Sequence, residues 1–231
     1  AEAASRCWVG AIKAGWWCIG SQAEGNVQTI MRGPRVQTAK IAFVTPLTLT
    51  LLPHPSQTPT ACAPTVVVRP TAEGLDLHFA IAQPHDLRLP ESGLQGAADG
   101  LWQHTCFECF VGLTGHSAYI EFNFSPSLPS GQWACYPFSR ERERQDTGAP
   151  LSLNPTTEID DSGLHLRVQL PWSILPAPDQ AWDLGLSTVT ESSTGSITHW
   201  AVRHDRAQAD FHHRASWLRI APPWPSPTGQ P

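Results

Sequence analysis

Between Leu101 and Phe138 the chain reads LWQHTCFECFVGLTGHSAYIEFNFSPSLPSGQWACYPF. Three runs rich in aromatic and β-branched residues are separated by loops of Gly, Ser and Pro, the pattern of a three-stranded antiparallel meander. Side chains alternate across a strand, so Phe107, Cys109, Val111 and Leu113 share one face and Glu108 falls on the other. In the next run Ile120, Phe122 and Phe124 share a face, and Tyr119, Glu121 and Asn123 share the opposite one. The meander therefore buries an apolar face and aligns two carboxylates, an amide and a phenol on the other. That polar face, edged by aromatic residues, is where a ligand is expected.

The rest of the chain is built in the same style. Its 231 residues allow one large β-domain with extensions or two small domains, and 22 Pro and 17 Gly with only 15% charged residues argue against long helices. Ten Trp point to binding or to a Trp-rich core. A net charge of −5 leaves no electrostatic footprint for nucleic acid, and Arg140–Arg144 (RERER) alternates in sign and reads as a solvated loop. Cys7, Cys18, Cys62, Cys106, Cys109 and Cys135 show no disulfide-scaffold spacing. Cys106 and Cys109 form a CxxC, but positions three apart on a strand point to opposite faces, so they cannot share a metal there and Cys109 reads as a small core residue. Reduced cysteines suit the cytoplasm.

Residues 1–45 read as a poorly structured N-terminal extension foreign to the remainder of the chain, with translation starting at or near Met31, the only Met. From Met31 the basic Arg32, Arg35 and Lys40, the apolar run Ile41–Leu52 and Ala61-Cys62-Ala63 outline a signal peptide. Pro46 interrupts that run, and Leu47–Leu51 alternates Leu with Thr as a half-buried strand does. The outline is therefore taken as a decoy and the protein as cytoplasmic. No run approaches the length of a transmembrane helix. Further strands are expected at 65–69, 75–81, 86–89, 156–159, 164–170, 184–191, 197–203 and 216–220, with one helical turn at 171–175. About eleven short strands with Pro/Gly turns and no helical period make residues 46–221 one all-β, antiparallel sandwich, followed by a Pro-rich disordered tail at 222–231.

In order, LWQHTCFECFVG, YIEFNFSPS, SGQWACY, LHLRVQLPWSIL, LGLSTVTE, HWAVRH and DFHHRASWLRI resemble the bacterial DOMON-like family. That family is similar to the family-9 carbohydrate-binding modules and to the DOMON haem or sugar domains. The resemblance spans roughly residues 46–221 and implies an immunoglobulin-like β-sandwich with a ligand pocket on one sheet; it does not imply an enzyme. DOMON cytochromes commonly ligate haem through Met paired with His or Lys. Here Met31 lies outside the domain, so a haem b site would need two histidines.

Sugar rings pack their C–H faces on indole while their hydroxyls seek carboxylates and amides. Trp102, His104, Glu108, Glu121 and Asn123 are of the right kind, the first two placed by alternation on Glu108's face. Trp133 either edges the pocket or packs in the core. His199 and Arg203 share a face opposite Trp200, and of the adjacent His212 and His213 only one can enter a pocket. The first reading is a non-catalytic domain binding a small molecule, a carbohydrate or sugar-containing precursor. Its alternatives are a haem-binding electron-transfer domain using His104 with His212 or His213, and a glycoside hydrolase using Glu108 and Glu121. His104, His212 and Asp210 supply metal-ligand types without ligand spacing, so no metal site is assigned, and no membrane or nucleic-acid partner is expected. Catalytic motifs of the GxSxG, HExxH, phosphate-loop and dinucleotide types are absent.

Overall fold

The computed structural model describes residues 46–59, 61–145 and 151–221. The expected extension at 1–45 and tail at 222–231 lie outside the described residues, as does the first part of the signal-peptide outline, up to residue 45. The strands are β1 (Leu47–Thr50), β2 (Leu52–Pro53), β3 (Thr65–Pro70), β4 (Gly74–Ile81), β5 (Gly96–Ala97), β6 (Cys106–Leu113) and β7 (Tyr119–Ser125). They continue with β8 (Gln132–Arg140), β9 (Glu143–Arg144), β10 (Thr156–Asp160), β11 (Gly163–Pro171), β12 (Trp182–Glu191), β13 (Ile197–Ala201) and β14 (Leu218–Ile220). The described residues contain no α-helix, only short 3-10 turns, and none is long and apolar enough to cross a membrane.

The strands form a sandwich of two sheets. The smaller has the order β1-β3-β4-β11-β10; the larger runs β2-β13-β12-β6-β7-β8-β5, with β14 added on β12 and β9 on β8. Pairings are antiparallel except for the two-residue contact of β5 with β8. The expected meander is the centre of the larger sheet, where β6 pairs β7 from Phe107↔Phe124 to Val111↔Ile120 and β7 pairs β8 from Tyr119↔Phe138 to Ser125↔Gln132.

Alternation decides what lies between the sheets. Phe107, Cys109, Val111, Phe122 and Phe124 from the large sheet meet Val66, Val68, Leu77, Phe79 and Leu166 from the small one, all buried. The rings of Phe79 and Phe107 touch across the gap at 5.0 Å. Losing such a fully buried ring typically costs about 3–5 kcal/mol. Trp133, Trp182 and Trp200 belong to this core too, so several of the tryptophans are structural. Two of their indole N–H groups are satisfied in place, Trp200 donating to Thr190 Oγ1 at 2.9 Å and Trp182 to the Ala177 carbonyl at 3.1 Å. Cys109 lies in this core and Cys106 on the opposite face, as expected of a CxxC on an unbroken strand. Leu47 and Leu49 are half-buried and Thr48 and Thr50 exposed, which makes the start of the alternating run a strand.

Three expected elements differ. Residues 101–103 are a 3-10 turn, entered through Gly100 at φ 71°, and the central strand begins only at Cys106. No strand forms at 86–89: Pro84, with fixed φ and no N–H, opens a turn, and only Leu87 bridges to Ser192. Arg140–Arg144 is solvent-exposed as expected, but it forms the tip of a hairpin closing β8 onto β9, with Arg142 at φ 62°.

After β13 the chain crosses the outer face of the large sheet before returning as β14. The Trp217 ring on this return lies directly over Gly185 of β12, where a Cβ would sit 2.7 Å from the indole nitrogen. That nitrogen donates to the Phe211 carbonyl at 2.7 Å. Gly185→Val should therefore displace Trp217 and release the segment it holds. Overpacking of this kind costs roughly 1–3 kcal/mol, so the thermal midpoint should fall by several degrees; an unchanged midpoint would show that the ring is not seated there.

Candidate ligand-binding site

Because β6, β7 and β8 send alternate side chains outward, the outer face of the large sheet carries a second row of residues. Glu108 pairs across to Asn123 of β7 and to Ser187 of β12; Phe110 pairs to Glu121, and Glu121 to Tyr136 of β8. Glu108 and Glu121 are thus diagonal neighbours on adjacent strands. They form the floor of a recess of about 350 Å³. Phe110, Tyr136 and Phe138 stand beside them on the same sheet, and Val189 closes the β12 side.

Three connections raise walls around this floor. The segment between β13 and β14 supplies Asp210, Phe211 and His212, the β8–β9 hairpin supplies Arg142 and Arg144, and the turn before β6 supplies Trp102. The first wall is tied down firmly. Arg214 donates to the Leu113 carbonyl at 2.8 Å and to Asp183 Oδ2 at 3.0 Å. Tyr119, stacked on Phe138 at 4.8 Å, is hydrogen-bonded to His212 Nδ1 at 2.7 Å. Arg142 bridges the two walls, its guanidinium reaching Asp210 at 2.8 Å. Arg144 lies over the Tyr136 ring at 4.0 Å and 3.5 Å from Asp99, to which the Tyr136 hydroxyl also donates.

The floor is electrostatically unusual. Glu108 is 2% exposed and Glu121 5% exposed. Burial, reinforced by repulsion from Glu121, pushes the Glu108 carboxyl far above the usual carboxylate range against the opposing Ser187 hydrogen bond. Burial raises Glu121 as well, while the Asn123 hydrogen bond and Arg144 pull it back. Ser187 Oγ donates to Glu108 Oε2, and Asn123 Nδ2 to Glu121 Oε1, each at 2.8 Å. Asn123 Oδ1 is buried without a partner among the described residues. His212 is held neutral, burial and nearby Arg142 lowering it to about 4. The Tyr119 oxygen accepts from the Arg142 backbone N–H at 3.2 Å and shares a hydrogen bond with His212 Nδ1. Nε2 stands 3.9 Å from Glu121 Oε2, outside hydrogen-bond range.

Of the residues singled out in the sequence, Trp102, Glu108, Glu121 and His212 come together around the recess, and Asn123 lies buried beside Glu121. His199 joins them from β13, its Nδ1 held at 3.0 Å by the Gln57 amide. Others do not. His104 follows a turn rather than a strand, so alternation fails there; it bonds Glu191 at 2.7 Å and borders a different recess. Trp133 is in the inter-sheet core. His213, pointing opposite to His212, faces Asp205 at 3.1 Å. Among the described residues no three His, Cys, Asp or Glu side chains converge on a metal position. Sequence reasoning passes over Phe110, Tyr136 and Phe138. Phe110 is readable, since alternation puts it with Glu108; the other two depend on the β7–β8 register. Arg142 and Arg144 look solvent-facing in the sequence, and only the hairpin bend turns them over the sheet.

Neither a family model nor a curated protein matches the chain by sequence. Solved structures do share the fold. A candidate carbohydrate-binding protein from Bacteroides uniformis superposes with a TM-score of 0.54 at 12% identity, over 76% of this chain and 85% of that one. A family-9 carbohydrate-binding module from Caldicellulosiruptor kristjanssonii, in complex with cellotriose, gives 0.50 at 12% identity, over 74% of this chain and 80% of the other. The chain therefore has the sandwich fold of the family-9 modules.

The buried pair should leave a signature in stability. Free in the unfolded chain these carboxyls titrate near 4.5, whereas folded Glu108 holds its proton to about 8. Over that interval the native state binds more protons than the unfolded one, so stability falls as pH rises. His212, lowered from 6.5 to about 4, has the opposite sign and offsets the fall below about 6.5. Urea midpoints should thus drop between about pH 6.5 and 8, and Glu108→Gln should flatten the drop. Equal slopes in the two proteins would assign the effect elsewhere.

Proposed function

We propose that this chain is a non-catalytic carbohydrate-binding β-sandwich of the DOMON-like kind, taking its ligand on the outer face of the large sheet. One observation carries the reading: a single recess combines two buried carboxyls with the rings of Phe110, Tyr136, Phe138, Phe211 and Trp102. A sugar needs both halves of that chemistry. Its C–H faces lie on aromatic rings, and its hydroxyls donate to acceptors held in fixed places. Here the acceptors stand on adjacent strands, and the most exposed ring, Trp102, is 53% open to solvent at the rim. The shared fold with a module that carries cellotriose supports the same reading. The bis-histidine haem alternative has less support. His104 and His212 border different recesses, and His212 Nδ1 and His213 Nε2 already face Tyr119 and Asp205.

The test is calorimetric titration of the full chain with cellotriose and a panel of mono- and oligosaccharides. Saturable binding in the micromolar-to-millimolar range is expected, weakened by at least about tenfold in Glu121→Ala and in Trp102→Ala. The exposed Trp102 ring can be removed without opening the core, which keeps that variant informative if Glu121→Ala folds poorly. A panel without a single binder, or binding indifferent to both substitutions, would sink the proposal.

A further inference from the structure

We infer that the sugar this recess selects carries an amino group, its ammonium seated between Glu108 and Glu121; the inference rests on the carbohydrate reading above. Glu108 takes one hydrogen bond, from Ser187, and among the described residues no donor reaches its second oxygen. Glu121 takes one, from Asn123, and the next candidate, His212 Nε2, stops 3.9 Å short of Oε2. The Asn123 carbonyl oxygen between the two strands is also without a donor among the described residues. With both carboxyls ionised the floor is built of acceptors, and what fills it in that state must bring several donors.

Charge narrows the choice further. The cations on the rim are already matched, Arg142 by Asp210 at 2.8 Å and Arg144 by Asp99 at 3.5 Å and by the Tyr136 ring. His212 and His199, which face the recess from the other wall, are both driven toward the neutral form by burial. Beyond the longer-range pull of Arg144 on Glu121, the two floor carboxyls therefore have no ion-pair partner among the arginines and lysines of the described residues. A hydroxyl offers one donor and no charge. An ammonium offers three donors and a full positive charge, and the rings around the floor favour a cation over their faces. In the empty recess the pair holds a proton in place of that charge, so an arriving ammonium should expel it.

Matched ligands separate this inference from the broader one. The full chain would be titrated near pH 7 with cellotriose, its 2-amino counterpart (the glucosamine trimer), the N-acetylated trimer, and glucose against 6-amino-6-deoxyglucose. At least one amino sugar should bind about tenfold or more tighter than its neutral match. Titrations in buffers of different ionisation enthalpy should show up to about one proton released per ligand. In Glu121→Gln, which keeps the shape and removes a charge, the preference for the amine should collapse to within about threefold. If neutral sugars bind as tightly as amino sugars, the inference falls and the carbohydrate reading stands. If no sugar of either kind binds, both fall.

Discussion

The constraint on which the rest of the structure depends is that β6 and β7 are buried on both faces. Every residue from Cys106 to Leu113 and from Tyr119 to Ser125 is out of solvent. Antiparallel sheets usually leave one face wet, which is why their strands can carry polar residues at every second position without cost. Here the inner face is covered by the small sheet, and the outer face by the segment before β14 and the β8–β9 hairpin. The alternating sequence is that of a half-exposed sheet, yet the sheet is covered. Glu108, Glu121 and Asn123 consequently lie under a roof, and raised carboxyls, a neutral histidine and an orphan amide oxygen are all consequences of that one fact.

The roof stays in place through a small aromatic core of its own. Phe110, Tyr119, Phe138 and Trp217 pack with centroid separations of 4.8 to 6.4 Å; the Arg214 hydrogen bond to the Leu113 carbonyl anchors the segment to the end of β6, and the Trp217 bond to the Phe211 carbonyl ties the segment to itself. This core is separate from the one between the sheets. It divides the labour within the site: the floor residues sit on strands paired on both sides, while the walls come from connections held mainly by side chains. Geometry is thus fixed at the carboxyls, and access is left to the walls.

The fold is legible in the sequence because alternation is a local property. The inner faces of β6, β7 and β11 and the outward placement of Glu108, Glu121 and Asn123 come from counting by twos. The site is legible only in part, since a site needs registers and connections as well as faces. Tyr136 reaches the recess because it stands opposite Glu121, a pairing that no single strand reveals. Arg142 and Arg144 reach it because the chain reverses at a left-handed Arg142, in a stretch whose alternating charges look solvated. His104 misses it for a complementary reason: alternation cannot be extended back through residues 101–103, where Gly100 has already turned the chain out of the strand.

An apolar second core would have been the stable solution beneath this roof. Replacing buried charged groups by well-packed hydrophobic ones is often neutral or stabilising by a few kcal/mol. Phe110, Cys106, Ala134 and Trp217 already form an apolar cluster on this face, material suited to that outcome. The pair instead keeps two like groups near each other, each with a single side-chain donor and neither with an ion-pair partner among the arginines and lysines of the described residues. Structural carboxylates in cores normally come with an arginine, as Asp183 does here with Arg214 and Arg219. The contrast between these two acidic sites on the same sheet is the physical ground for proposing ligand binding at one and scaffolding at the other: one is already paired, and the other keeps acceptor positions free for the proposed ligand.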